Sequence, residues 1–159
     1  MTFILGIDPG LNRTGWGLIN SDGQHISYVR SGTIMLPTSS DISIKLEFLH
    51  KSLISVIQNH NIDECAIEES FVNKNAATSL KLGCARGAIL LTLRLAGLEI
   101  KEYAAKLIKK TVTGVGNAEK EQVALMVKHL LPKSVVSSAD ESDALAIAIC
   151  HSSFNRVRL

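Results

Sequence analysis

Polar and apolar positions change period several times along this chain, and each change marks an element. Phe3 to Asp8 is a short apolar run that reads as a buried strand, closed by Asp8-Pro9-Gly10. Gly15 to Asn20 predicts a second strand, and Ser21-Asp22-Gly23 supplies a turn into a third, from His25 to about Met35. After Pro37 the period lengthens: Ile42, Leu46, Leu49, Leu53 and Ile57 recur at helical spacing, with Ser39 or Ser40 as N-cap. Asp63 to Glu69 returns to a strand. Ala76 to Leu95 predicts a long helix, apolar nearly all round and ended by Gly97, and Glu99 to Tyr103 a fifth strand. The Gly114-Val115-Gly116 loop leads to Asn117, the expected cap of a helix through Leu131. A last helix is expected from near Ser138 to about His151.

That order, βββαβαβ followed by helices, predicts one α/β domain over residues 1–159, without repeats or linkers. The first three strands form an antiparallel meander. A right-handed crossover through the first helix then returns strand four beside strand one and parallel to it. Asp8 and Glu68, each at the end of an apolar run, would meet at the C-terminal edge of the sheet, where α/β folds bind ligands.

Asp140 and Asp143 stand three apart at the start of the last helix and share one face, ahead of the uncharged stretch Ala144 to Ile149. Four carboxylates on three elements can therefore converge. Hard oxygen ligands of this kind suit Mg²⁺ or Mn²⁺, and a pair of such ions can flank a phosphodiester. Each acid alone has a plainer reading. Asp8-Pro9-Gly10 is a common turn, and Ser138-Ala139-Asp140-Glu141 fits a capping box in which Glu141 has the structural part. Of Glu68 and Glu69, which have opposite strand parity, only one can face Asp8; the apolar pattern favours Glu68.

Composition narrows the field. Apolar residues are 46% of the 159 and charged ones 20%, which is globular rather than disordered. The apolar stretches are broken by charges before 18 residues, so no membrane span is expected, and Met1 leads directly into a strand rather than a secretory signal. Cys65, Cys84 and Cys150 form no zinc pattern and read as small core residues in a reducing cytoplasm. His151 is expected as a C-terminal cap or a support for the site. Net charge is only +2, but Ser70 to Leu98 carries Lys74, Lys81, Arg86 and Arg94 with no acid, and Lys106, Lys109 and Lys110 follow. One face could therefore meet phosphate backbones.

Four motifs in order then carry a resemblance: Gly6-Ile-Asp8-Pro-Gly10-Leu-Asn-Arg-Thr14-Gly15-Trp-Gly17, Ala66-Ile-Glu68, Lys81-Leu-Gly-Cys-Ala-Arg86-Gly87 and Ala139-Asp-Glu-Ser-Asp143-Ala-Leu-Ala-Ile. The chain resembles, over nearly its whole length, the RuvC family of bacterial Holliday junction resolvases. The resemblance implies a ribonuclease H-like fold, a five-stranded mixed sheet with helices on both faces. It implies a cytoplasmic homodimer that uses Mg²⁺ to nick two opposed strands of four-way junction DNA, with Mn²⁺ as a working substitute. It also implies a branch-migration motor of the RuvA and RuvB type as partner.

Asp8, Glu68, Asp140 and Asp143 match the family's catalytic acids, which selects Glu68 over Glu69. Phe71 matches an aromatic that stacks on a base, and Lys109 and Lys120 match basic residues near the scissile phosphate. Without the resemblance, Phe71 reads as core and the lysines as a solvated helix face. The long helix is the expected dimer seam, since Gly83 and Gly87 would let another backbone approach; the alternative is that it is buried in its own domain. An actin-like nucleotide-binding protein also uses an Asp-x-Gly turn after its first strand, but a single domain cannot form its interdomain cleft.

Overall fold

The computed structural model describes residues 1–69 and 75–155. Strands β1 (Thr2–Asp8), β2 (Arg13–Ser21) and β3 (Ile26–Met35) form the expected meander, and β4 (Glu64–Glu68) and β5 (Glu99–Tyr103) complete a five-stranded sheet. The order is β3-β2-β1-β4-β5, with β1 antiparallel to β2 and parallel to β4. The crossover therefore runs as expected, through helix α1 (Ile42–Gln58).

Strand alternation divides the core in two. Leu5 and Ile7 face α1 and α2 (Ala76–Leu95), packing with Leu49, Leu53, Ile89 and Leu93. Ile4 and Ala66 face the opposite layer, packing with Ile108 of α3 (Ala105–Thr113), Val123 and Val127 of α4 (Lys120–Leu130) and Leu145 to Cys150 of α5 (Ala139–Asn155). Helices cover both faces, as expected.

Several local expectations need correction. The N-cap of α1 is Asp41, whose carboxylate accepts from the Ser43 amide at 2.8 Å, rather than Ser39 or Ser40. The cap of α4 is Glu119, which shares a reciprocal capping box with Gln122, rather than Asn117. Helix α3 was not expected. It is nine residues long, has no side-chain cap, and buries only Ile108 and Val112 before Gly114 ends it in the left-handed region. Its lysines mask so short an apolar stripe. Helix α5 runs to Asn155, past the expected end at His151.

His151 lies inside α5 rather than at its end, so it is not the expected C-terminal cap. It is buried, with Nδ1 2.7 Å from the Tyr103 hydroxyl and Nε2 2.6 Å from the Glu64 carboxylate, so it ties α5 to the start of β4. The three cysteines are free thiols; Cys65 and Cys150 are buried and Cys84 partly so.

Helix α2 is also less enclosed than a core helix. It buries Ala85, Ile89, Thr92 and Leu93 but exposes Leu80, Leu91 and Leu95. By length and composition it is the one described helix that could cross a membrane, a test that apolar helices of globular proteins also pass.

Candidate active site

The register explains why acids gather at one edge. Asp8 lies opposite Gly15 of β2, and Gly15 opposite Thr33 of β3. On the other side, Ile7 pairs with Ile67, which leaves Asp8 and Glu68 at adjoining strand ends on the face that α5 covers. Gly15 lets α5 begin there: a Cβ at this position would collide with the carbonyl oxygen of Asp140. Gly6 does the same one turn further on, beneath Ala144 and Ala148. The first turn of α5 therefore lies directly on the sheet, beside Asp8.

The turn after Asp8 is also held from within. The buried Thr14 hydroxyl accepts from the Gly10 amide at 3.3 Å and lies 3.4 Å from the Gly10 carbonyl, to which it donates.

Asp8, Glu68 and Asp143 line a cavity of about 230 Å³ with Lys109 of α3, Lys120 of α4 and the apolar Ala105, Ile108, Val123 and Ala146. Lys120 Nζ stands 3.8 Å from an Asp143 carboxylate oxygen. Asp140 is outside this lining, yet its charge is felt by both Asp8 and Asp143. Glu69 is exposed, away from the cavity, as its parity predicts. Phe71 lies outside the described residues.

The electrostatics are those of carboxylates crowded together out of water. Burial, then the charges of Asp143, Glu68 and Asp140, push the Asp8 carboxyl up to about 8 from 3.8, against a smaller pull from Lys120. Glu68 is raised by burial and by Asp143, opposed by Lys109 and Lys120. Asp143 is raised by burial and Asp140, again opposed by the two lysines. Among the described residues no three such side chains are already closed around one point. Asp8, Glu68 and Asp143 line the cavity with Asp140 outside it, and their mutual repulsion resists closer approach.

The chemistry of this donor set fits a divalent ion. It offers hard carboxylate oxygens in partly buried positions, and the cavity holds several water volumes at about 30 Å³ each. Of the four acids expected from the sequence, the structure brings Asp8, Glu68 and Asp143 to one cavity and leaves Asp140 outside its lining. Sequence reasoning missed Thr14 and the packing around Glu141, whose partners are distant in sequence.

The fold is ribonuclease H-like, and with this acidic edge it defines the class of ribonuclease H-like nucleases. The family model described as crossover junction endodeoxyribonuclease RuvC matches residues 4–151. The chain is 48% identical over 151 residues to the crossover junction endodeoxyribonuclease RuvC of Azorhizobium caulinodans, covering 95% of this chain and 89% of that one. It is 52% identical over 153 residues to that of Beijerinckia indica, covering 96% and 87%. Among solved structures, Thermus thermophilus RuvC in complex with a Holliday junction substrate superposes with a TM-score of 0.90 at 28% identity, covering 99% of this chain and 97% of that one. The chain belongs to the crossover junction endodeoxyribonuclease RuvC family.

Proposed function

We propose that each chain nicks one strand of a four-way junction at the cavity around Asp8, and that two chains make paired, symmetric cuts. Asp8, Glu68, Asp140 and Asp143 hold the divalent ions, Mg²⁺ with Mn²⁺ as a working substitute. The observation that carries this reading is the cavity where Asp8, Glu68 and Asp143, from three separate elements, meet Lys109 and Lys120, a crowding that pushes the Asp8 carboxyl up to about 8. An isolated turn or helix cap would not crowd charge in this way.

Bound there, such ions supply an activated water and neutralise charge on the departing oxygen. The chain's own part is placement. Asp8 and Glu68 project from adjoining strand ends, and Asp140 and Asp143 from a helix seated on the same sheet edge. Lys109 and Lys120 compensate the acids before DNA arrives and meet the scissile phosphate when it does. Phe71, in the segment after Glu68, stacks on a base near the opened crossover, a contact worth about 1–3 kcal/mol.

A junction is close to two-fold symmetric, so a C₂ dimer is the simplest way to supply two sites. Helix α2 is the proposed seam. It exposes Leu80, Leu91 and Leu95, and a Cβ added at Gly83 or Gly87 meets nothing within 4 Å. That open space supports the seam over packing of those glycines on the sheet of their own chain. A RuvA- and RuvB-type motor delivers the junctions, in the cytoplasm.

Incubation with a mobile four-way junction and Mg²⁺, followed by mapping of the nicks, tests the proposal. The expected result is symmetric cuts on two opposed strands that a chelator abolishes. Cleavage that persists in chelator, or cuts confined to one strand, would overturn it.

A further inference from the structure

Glu141 stands between Asp140 and Asp143 in sequence but is 4% exposed, and its carboxylate is held by hydroxyls from two separate segments. Ser31 Oγ of β3 donates to Oε2 at 2.6 Å, and Ser137 Oγ donates to Oε1. Ser138 Oγ lies 3.5 Å from Oε1 and accepts from the Glu141 amide at 3.2 Å. Thr33 Oγ1 of β3 is 2.8 Å from Ser138 Oγ, a hydroxyl pair in which either oxygen can donate. The Tyr28 hydroxyl donates to the Val135 carbonyl at 3.2 Å, which ties down the approach to α5. A capping box needs only Ser138 and Glu141. The bonds to β3 go beyond it.

The position of these bonds gives them a consequence. Thr33 shares a row across the sheet with Gly15 and Asp8, and Ser31 pairs with Gly17 in the next row on that face. Asp140 lies over Gly15. The first turn of α5 is thus pinned to β3 at the level of Asp8, where the charges of Asp8, Glu68, Asp140 and Asp143 oppose its approach. Apolar packing of Leu145 to Cys150 secures the rest of the helix, but that packing begins only after Asp143.

We propose that Glu141, through Ser31, Ser137, Ser138 and Thr33, is a positioning residue that holds Asp140 and Asp143 toward Asp8 so that the ion site is assembled before the ion binds. This inference rests on the reading that Asp140 and Asp143 hold the ion. The carboxylate itself touches neither ion nor DNA. Groups that orient ligands from behind in this way typically set metal affinity within about 10–100-fold.

The test is direct Mn²⁺ binding, followed by electron paramagnetic resonance in the absence of DNA, beside thermal melting and metal-free junction binding. Glu141→Ala should weaken Mn²⁺ about tenfold while junction binding stays at the wild-type level. Saturating Mg²⁺ should restore most nicking. Glu141→Gln keeps an acceptor and gains a donor that the rotatable hydroxyls can meet, so it should bind Mn²⁺ nearly as the wild type does. Ser31→Ala with Thr33→Val removes the β3 half alone and should reproduce much of the loss, even where Glu141→Ala fails to fold. Asp143→Asn separates the two layers of the reading. Wild-type Mn²⁺ affinity in the β3 double variant, with loss in Asp143→Asn, would overturn the staple alone. Wild-type affinity in both would overturn the ion assignment, and the staple with it.

Discussion

Two groups of glycines mark two different faces of the molecule. Gly6 and Gly15 lie beneath α5, where an added Cβ would strike backbone of Ala144 or Asp140. Gly83 and Gly87 lie on α2, where an added Cβ would meet open space. The α5 face is completed within the chain, and close helix-on-sheet contact there brings acids from three elements together. The α2 face exposes leucines beside unused space, an arrangement that suits close approach of a second copy. The same residue type thus serves intramolecular placement of the acids on one face and, in the proposed dimer, association on the other.

The largest contrast should come from filling these spaces. Gly15→Ala should destabilise the chain by about 3 kcal/mol, since the helix backbone above has nowhere to move without lifting Asp140. Denaturant unfolding measures this, and nicking should fall with it. Gly87→Leu should instead fold with an unchanged or higher melting temperature, because leucine favours a helix over glycine by about 0.5–1 kcal/mol. It should sediment as a monomer and resolve junctions poorly. An unfolded Gly87→Leu variant, or a dimeric and active one, would erase the distinction between the two faces. Mixed dimers of wild-type and Asp8→Asn chains sharpen it further: they should leave one nick per junction and rarely resolve it.

A smaller effect concerns pH. Asp8 titrates near 8 in the folded chain and near 3.8 when unperturbed. Between those values the folded state holds a proton that the unfolded state has lost. The associated stability is fully present below about 4 and is lost as pH rises through about 8. In metal-free buffer Asp8→Asn should therefore melt higher than wild type, by a margin that widens from pH 5 to pH 8. Added Mg²⁺ should close the gap by stabilising only the wild type. A margin independent of pH would show that Asp8 is not under this charge pressure.

The smallest effects belong to the lysines. Lys109→Ala and Lys120→Ala should slow nicking, and their loss of junction affinity should shrink as salt rises, because phosphate contacts release counterions. Normal cutting by both at physiological salt would return them to a solvated helix face.

Much of this was legible in the sequence, for identifiable reasons. The apolar runs ending in Asp8 and Glu68, and the uncharged stretch after Asp143, are strong local patterns that also place the acids. The parallel pairing of β1 with β4 follows from crossover handedness. What escaped were features without a local signature. Helix α3 has one short apolar stripe among lysines, Asp41 competes with nearby Ser residues of equal cap propensity, and Glu119 caps α4 although Asn117 has the stronger propensity. The role of Glu141 depends on Ser31 and Thr33, more than a hundred residues away. The partial exposure of α2 could not be read from a helix apolar on all sides.

The central claim is that the carboxylates around Asp8 perform the cut and are not needed to hold the junction. Parallel binding and cleavage assays of Asp8→Asn on one mobile four-way junction, with Mg²⁺ in the cleavage arm, test it most directly. An amide keeps the shape of the side chain but not the charge an ion requires. The account predicts junction affinity equal to or tighter than wild type, with no nick on any strand. Nicking at the wild-type rate, or loss of binding in step with loss of cleavage, would contradict it.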